Sequence, residues 1–200
     1  MKVIEQEIHS LKNSISEMWA LVHQQLYNAG EAMLTGDKEL AYKVISRERR
    51  VNAFELKIDS DCEDIIALYA PVAIDLRFVL AMYKINTNLE RLGDFAESIA
   101  RFAGNLPEGE PIDPQLVKET RVEEMLSELL SMISLTKEAF EKESSEIASR
   151  IFLKDNLIDE INHNSTAIIA KYIEEHKGSA LAGLYMAGVI RKMERFGDHC

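Results

Sequence analysis

Glu90-Arg91-Leu92-Gly93-Asp94 returns 104 residues later as Glu194-Arg195-Phe196-Gly197-Asp198, which marks an internal duplication. A repeat of roughly 100 residues is too long for a solenoid unit and fits duplication of a three-helix bundle. A weaker second match supports it: Glu48-Arg49-Arg50-Val51-Asn52 can be laid on Asp155-Asn156-Leu157-Ile158-Asp159, at an offset of 107.

The flanking apolar patterns supply the helices. Ile4, Ile8, Leu11, Ile15, Met18 and Val22 follow a 4-3-4-3-4 spacing, continued by Leu26, Ala29 and Met33, which predicts one long amphipathic helix over Val3–Met33. Gly36 is its stop and Asp37 the N-cap of a second helix carrying Leu40, Val44, Val51, Phe54, Ile58, Ile65 and Leu68, which Pro71 ends. A third runs from Ile74 through Leu76, Val79, Leu80, Tyr83, Leu89, Leu92, Ala96 and Ile99 to Phe102, before Gly104. The stretch from Gly104 to Pro114 holds three of the four prolines and predicts a stiff linker. Beyond it, helical patterns cover Val117–Lys142 and Ser145–His176, and a turn at Lys177-Gly178-Ser179 precedes the last. No segment alternates with period two, so no strand is expected. The expected architecture is all-α: six long helices in two pseudo-symmetric three-helix bundles, residues 1–104 and 116–200, joined by a proline-rich linker over 105–115.

Composition narrows the function. The 200 residues are 46% hydrophobic and 28% charged, ordinary for a globular chain. A net charge of −11 repels phosphate backbones and anionic lipid heads, which argues against nucleic-acid binding. Cys62 and Cys200, with no secretory leader, are expected as reduced thiols in a cytoplasm. No apolar run reaches the roughly 18 to 20 residues that span a bilayer, so no membrane insertion is expected.

The repeated motif has a physical cost that asks for a reason. Glu90 and Asp94 are four apart, so both carboxylates project from one helix face, where like charges destabilise by a few tenths of a kcal/mol. Gly93 and Gly197 in helix interiors each cost about 1 kcal/mol relative to alanine. An isolated Glu-x-x-x-Asp is most often a solvated acidic flank, and Gly93 could be explained by packing alone, but the duplication together with the glycine sets a shared task on an equal footing with these. That task would be cation binding, with Glu48 of the second helix meeting Glu90 and Asp94, and Asp155 and Asp159 meeting Glu194 and Asp198. Clustered carboxylates suit hard or borderline cations such as iron, manganese or magnesium, and can bridge more than one. Glu160-x-x-His163 has the spacing used in di-iron bundles, but those need two such motifs and a second is missing. Trp19 and the methionines sit at or beside core positions, and no phosphate loop or nucleophilic triad is present.

Asp75-Leu76-Arg77, Lys84-Ile-Asn-Thr-Asn-Leu-Glu-Arg-Leu-Gly-Asp94, Arg49-Arg-Val-Asn-Ala-Phe-Glu-Leu-Lys-Ile-Asp59 and Arg191-Lys-Met-Glu-Arg-Phe-Gly-Asp-His199 together resemble the PhoU family of bacterial phosphate-signalling regulators. The resemblance covers nearly the whole chain. It implies a non-enzymatic, homodimeric, cytoplasmic negative regulator that links the cytosolic ATPase of the phosphate ABC transporter to a sensor histidine kinase. It also implies a multinuclear metal site, iron first, with zinc, manganese or magnesium as alternatives, on Glu90, Asp94, Glu194 and Asp198 and on Glu48, Asp155 and Asp159. Two departures stand out. Asn52 occupies the place of Asp159, which would weaken the first site, and the chain stops at Cys200, inside what the first half makes a continuing helix, so a truncated last helix is expected. Two other readings stay open: a carboxylate-bridged metal oxidase, and a metal-free helical interaction module.

Overall fold

The computed structural model describes residues 3–106, 112–176 and 178–200, and among them every regular element is a helix. The helices are α1 (Val3–Thr35), α2 (Lys38–Tyr69), α3 (Ala73–Asn105), α4 (Pro114–Thr120), α5 (Val122–Glu141), α6 (Ser145–Ser149), α7 (Ile151–Glu175) and α8 (Ala180–Asp198). Helices α1, α2 and α3 pack pairwise into a first bundle, and α5, α7 and α8 into a second. Contacts of α3 with α8 and of α1 with α5 join the two.

The breaks in the first half fall where local chemistry puts them. Gly36 takes a left-handed φ of 71°, and the Asp37 carboxylate accepts the Leu40 N–H at 2.9 Å, capping α2. Ala70 closes α2 in the left-handed region, its N–H donating to the Ile66 carbonyl, and Pro71 prevents continuation. The core stripe of α1 is buried as the spacing requires, from Leu11 through Ile15, Met18, Val22, Leu26 and Ala29 to Met33. Leu68, Ile74, Leu80 and Tyr83 carry the helical period yet are exposed. The first two flank the α2–α3 turn, where α1 has only its own exposed start at Val3 to offer as cover.

Eight helical segments replace the six long ones because the second half is interrupted twice. Arg121 separates α4 from α5 with a left-handed φ of 56°, a conformation that costs a non-glycine residue on the order of 1 kcal/mol. Its guanidinium is held by Glu124 at 2.7 Å and by Glu160 of α7 at 2.8 Å, so a tertiary contact offsets the strain. Arg150 separates α6 from α7, and the Ser144 hydroxyl caps α6. Residues 107–111 of the expected linker and Lys177 of the expected turn lie outside the described residues. The last helix is short: α8 ends at Asp198, the counterpart of Asp94, whereas α3 runs on to Asn105.

One hydrophobic cluster runs through both bundles, from Leu11 in α1 to Phe196 in α8. Its seam depends on a close approach, since a β-carbon on Gly30 of α1 would collide with Leu126 of α5. Trp19 of α1 stacks on Phe140 of α5 with ring centroids 5.5 Å apart, a second bolt across the same seam.

Candidate functional site

Helices α2 and α3 run antiparallel, which the contacts of Glu48 with Gly93 and of Asn86 with Glu55 and Asp59 record along their length. This brings three of the expected residues together. Glu48 lies over Gly93, where an added β-carbon would stand 3.4 Å from its Oε2 and 2.9 Å from Val51 Cγ1. Glycine at 93 therefore makes room chiefly for Val51, and so lets α2 bring Glu48 against α3. Glu48 is buried, 6% exposed, and neither of its carboxylate oxygens has a hydrogen-bond partner. An unpartnered buried carboxylate is costly.

The electrostatics follow. Burial, and then the charges of Asp94, Glu97 and Glu90, push the Glu48 carboxyl up to about 7. Glu90 is raised by burial and by Asp94 and Glu55, against the pull of Arg91. Asp94 is raised by burial and by Glu97, with Lys192 of α8 opposing. None of the three makes an ion pair or hydrogen bond among the described residues.

Two residues belong to this face that the sequence reading passed over. Glu55 is raised by burial and by Asp59 and Asp94. Asp59 accepts a 2.7 Å hydrogen bond from Asn86 Nδ2, which also donates to the Glu55 carbonyl at 2.9 Å. The signal was present, for Glu55-Leu56-Lys57-Ile58-Asp59 repeats the Glu-x-x-x-Asp spacing of Glu90 and Asp94.

The second half rebuilds the arrangement with fewer charges. A β-carbon on Gly197 would lie 3.4 Å from Asp155 Oδ1 and 3.5 Å from Ile158 Cγ2, so Asp155 stands where Glu48 does and Ile158 where Val51 does. The offset is thus 107 along α2 and α7 and 104 along α3 and α8, which upholds the weaker of the two sequence matches. Asp155 is raised by burial and by Asp159 and Asp198. Glu194 is raised by burial, Asp198 and Asp159, with Arg195 and Arg191 opposing. The four expected carboxylates therefore share one face, on which Asp159 and Asp198 are exposed. The side chains as they stand are spread along both faces: among the described residues no three His, Cys, Asp or Glu groups are gathered closely enough to hold an ion. Elsewhere, Glu160 is engaged by Arg121 and does not act with His163. His199 hydrogen-bonds Asn88 at 2.9 Å and lies against Phe95, tying α8 to α3.

Comparison with known proteins places this geometry. The PhoU domain family matches residues 15–103 and 122–200. The phosphate-specific transport system accessory protein PhoU homolog 1 of Thermotoga maritima is 31% identical over 195 residues, covering 98% of this chain and 83% of that protein. The phosphate-specific transport system accessory protein PhoU of Escherichia coli is 32% identical over 197 residues, covering 97% and 79%. The crystal structure of PhoU from Pseudomonas aeruginosa superimposes with a TM-score of 0.90 at 28% identity, covering 98% of this chain and 92% of that one. The phosphate transport system regulatory protein PhoU from Streptococcus pneumoniae gives 0.87, also at 28% identity, covering 98% and 90%.

Proposed function

The chain belongs to the PhoU family, and from that premise we propose that it is a regulator of phosphate transport and phosphate-starvation signalling that works by binding proteins and metal, not by turnover. Its relatives are named as accessory and regulatory proteins of the phosphate transport system. The single observation that carries the metal reading is Glu48, a buried carboxylate with no partner for either oxygen, set among Glu90, Asp94 and Glu97. Such a group is costly alone and well suited to a cation. Glu48, Glu90 and Asp94, with Glu55 and Asp59 beside them, would hold the first ion or ions. Asp155, Asp159, Glu194 and Asp198 would hold the second set. An all-oxygen donor face suits iron, manganese or magnesium above zinc. A bound cation would supply positive charge that neutralises the face; the chain's own part is to set the carboxylates on facing helices, with Gly93 keeping α2 and α3 close. The oxidase reading has no support in the geometry, since Glu160 pairs with Arg121 and not with a metal-binding partner of His163.

Metal binding is tested by a difference between two melts. Asp94→Asn removes one ligand and one repulsion. In chelator the melting temperature should hold or rise slightly, by a few tenths of a kcal/mol in stability. In iron or manganese it should fall relative to the parent, because a bound ion stabilises the folded state by mass action. Asp198→Asn, at the equivalent position of the second set, should show a difference of the same sign. Equal shifts in the two conditions, with the parent shown to bind metal, would remove Asp94 from the ligand set.

The adaptor reading rests on the family and on charge. An acidic chain among whose described residues no helix is long and apolar enough to cross a membrane is repelled by anionic lipid, so it would reach the membrane through proteins. The proposed partners are the cytosolic ATPase of the phosphate transporter and the cognate sensor histidine kinase, with the regulator acting as a cytoplasmic homodimer. Capture on immobilised ATPase or kinase, with no sedimentation on anionic vesicles alone, is the expected result; sedimentation on bare vesicles would contradict it.

A further inference from the structure

A cavity of about 720 Å3 opens between α7 and α8, beside the second carboxylate face. Asn162, His163 and Thr166 line it from α7, and Arg191 and Arg195 from α8. Apart from Arg195, which lies over the Phe95 ring at 5.8 Å, none of these side chains engages a hydrogen-bond, ion-pair or ring partner among the described residues. Arg191 and Arg195 stand one helical turn apart on the cavity wall, where their charge acts on Glu194 without a close ion pair.

The internal repeat says what has changed here. With the offsets fixed by Gly93 and Gly197, Asn162, His163, Thr166 and Arg191 fall on Glu55, Leu56, Asp59 and Thr87 of the first half. Two carboxylates have become an amide and a hydroxyl, a leucine an imidazole, and a threonine a guanidinium. Both carboxylates are lost and one cation gained, so the local charge is more positive by three. The second copy keeps Glu194 and Asp198 as the first keeps Glu90 and Asp94, and sets donors beside them where the first has further carboxylates.

We infer that this cavity is a binding site for hydrogen phosphate, held by the guanidinium forks of Arg191 and Arg195 with donors from His163, Asn162 and Thr166. Guanidinium is the side chain whose planar fork fits phosphate oxygens two at a time. Glu194 and Asp198 also border the cavity, and they decide which oxyanion enters. A carboxylate repels a fully ionised tetrahedral anion but accepts a hydrogen bond from one that still carries a proton. Hydrogen phosphate has a P–OH at neutral pH, and sulfate has no proton to give. The site therefore selects phosphate over sulfate, although the two ions have the same shape.

The cavity shares Glu194 and Asp198 with the second carboxylate set, so the inference is drawn for the metal-free chain and its test keeps the two readings apart. Inorganic phosphate is titrated into the full chain in chelator, read by calorimetry and by 31P line broadening, with sulfate as the control. Saturable binding of one phosphate per chain is expected, with sulfate at least about tenfold weaker. Arg191→Ala should weaken phosphate by about tenfold to a hundredfold, the range for a lost charge-assisted hydrogen bond, and Arg191→Lys should recover part of it. Arg191 is exposed, so an unchanged helical spectrum is expected and shows that the fold survives. Arg47→Ala, at an exposed arginine of α2 outside both carboxylate faces, should leave phosphate affinity unchanged. No saturable binding, equal affinity for sulfate, or indifference to Arg191→Ala would each overturn the proposal. Phosphate binding that appears only after a divalent metal is supplied would overturn it too, while leaving the metal reading intact.

Discussion

Phe196→Ala is expected to cost about 3–5 kcal/mol of folding stability, the range for emptying a fully buried aromatic position. Phe196 has no exposed surface and is among the largest fully buried side chains. It sits in the middle of Glu194-Arg195-Phe196-Gly197-Asp198, so the residue that anchors α8 in the core also fixes the direction of the two carboxylates beside it. Its counterpart Leu92 is followed in α3 by buried Ala96, Ile99, Ala100 and Ala103, which hold that helix if Leu92 is truncated. Urea unfolding followed by helical ellipticity and by the fluorescence of Trp19, which reports on the seam with Phe140, measures both variants. The anchor argument fails if Phe196→Ala loses less than about 1 kcal/mol, or if Leu92→Ala loses more than Phe196→Ala.

What could be read in the sequence was whatever depended on a helix and its near neighbours. The α1 stripe, the stop at Gly36, the cap at Asp37 and the break at Pro71 are local in origin, and each stands where the residue types require. The equivalence of Glu48 and Asp155 was legible because duplication states a position twice. The break at Arg121 was not legible, because nothing local marks a left-handed arginine, and Glu160, one of the two carboxylates that hold its guanidinium, lies thirty-nine residues on. Nor was the exposure of Leu68 and Ile74, since periodicity gives the direction of a side chain but not whether a neighbouring helix extends far enough to cover it. Glu55 and Asp59 were missed for a different reason. Their spacing is in the sequence, but their second-half counterparts are Asn162 and Thr166, so a search for repeated carboxylates discards them. The same divergence marks the Arg191 cavity, and a repeat informs most where its copies disagree.

Glu48→Gln should invert its effect on stability between chelator and metal, and this follows from the sign of the carboxyl's displacement. Burial and the charges of Asp94, Glu97 and Glu90 raise it from the ordinary carboxylate value of 4.5 to about 7. Between those two values the folded chain binds more protons at this residue than the unfolded chain does, so folding stability falls as pH rises through the window. The cost is absent below about pH 4.5 and complete above about pH 7, on the order of 2 kcal/mol once solvent screening is allowed for. Glu55, Glu90 and Asp94 are displaced the same way and add to the slope. The amide of glutamine keeps the shape, removes the charge and can donate to the neighbouring carboxylates. In chelator at pH 8, Glu48→Gln should therefore stabilise the chain by about 1–2 kcal/mol and flatten its stability between pH 5 and 8. With metal present the carboxylate is an asset, and the same variant should forfeit most of the metal-dependent rise in melting temperature. A variant more stable than the parent without metal and less stable with it is hard to obtain from packing alone, since packing does not know whether an ion is present. A shift of the same sign and size in both conditions would mean that Glu48 is a buried structural acid and that the cation, wherever it binds, does not rest on it.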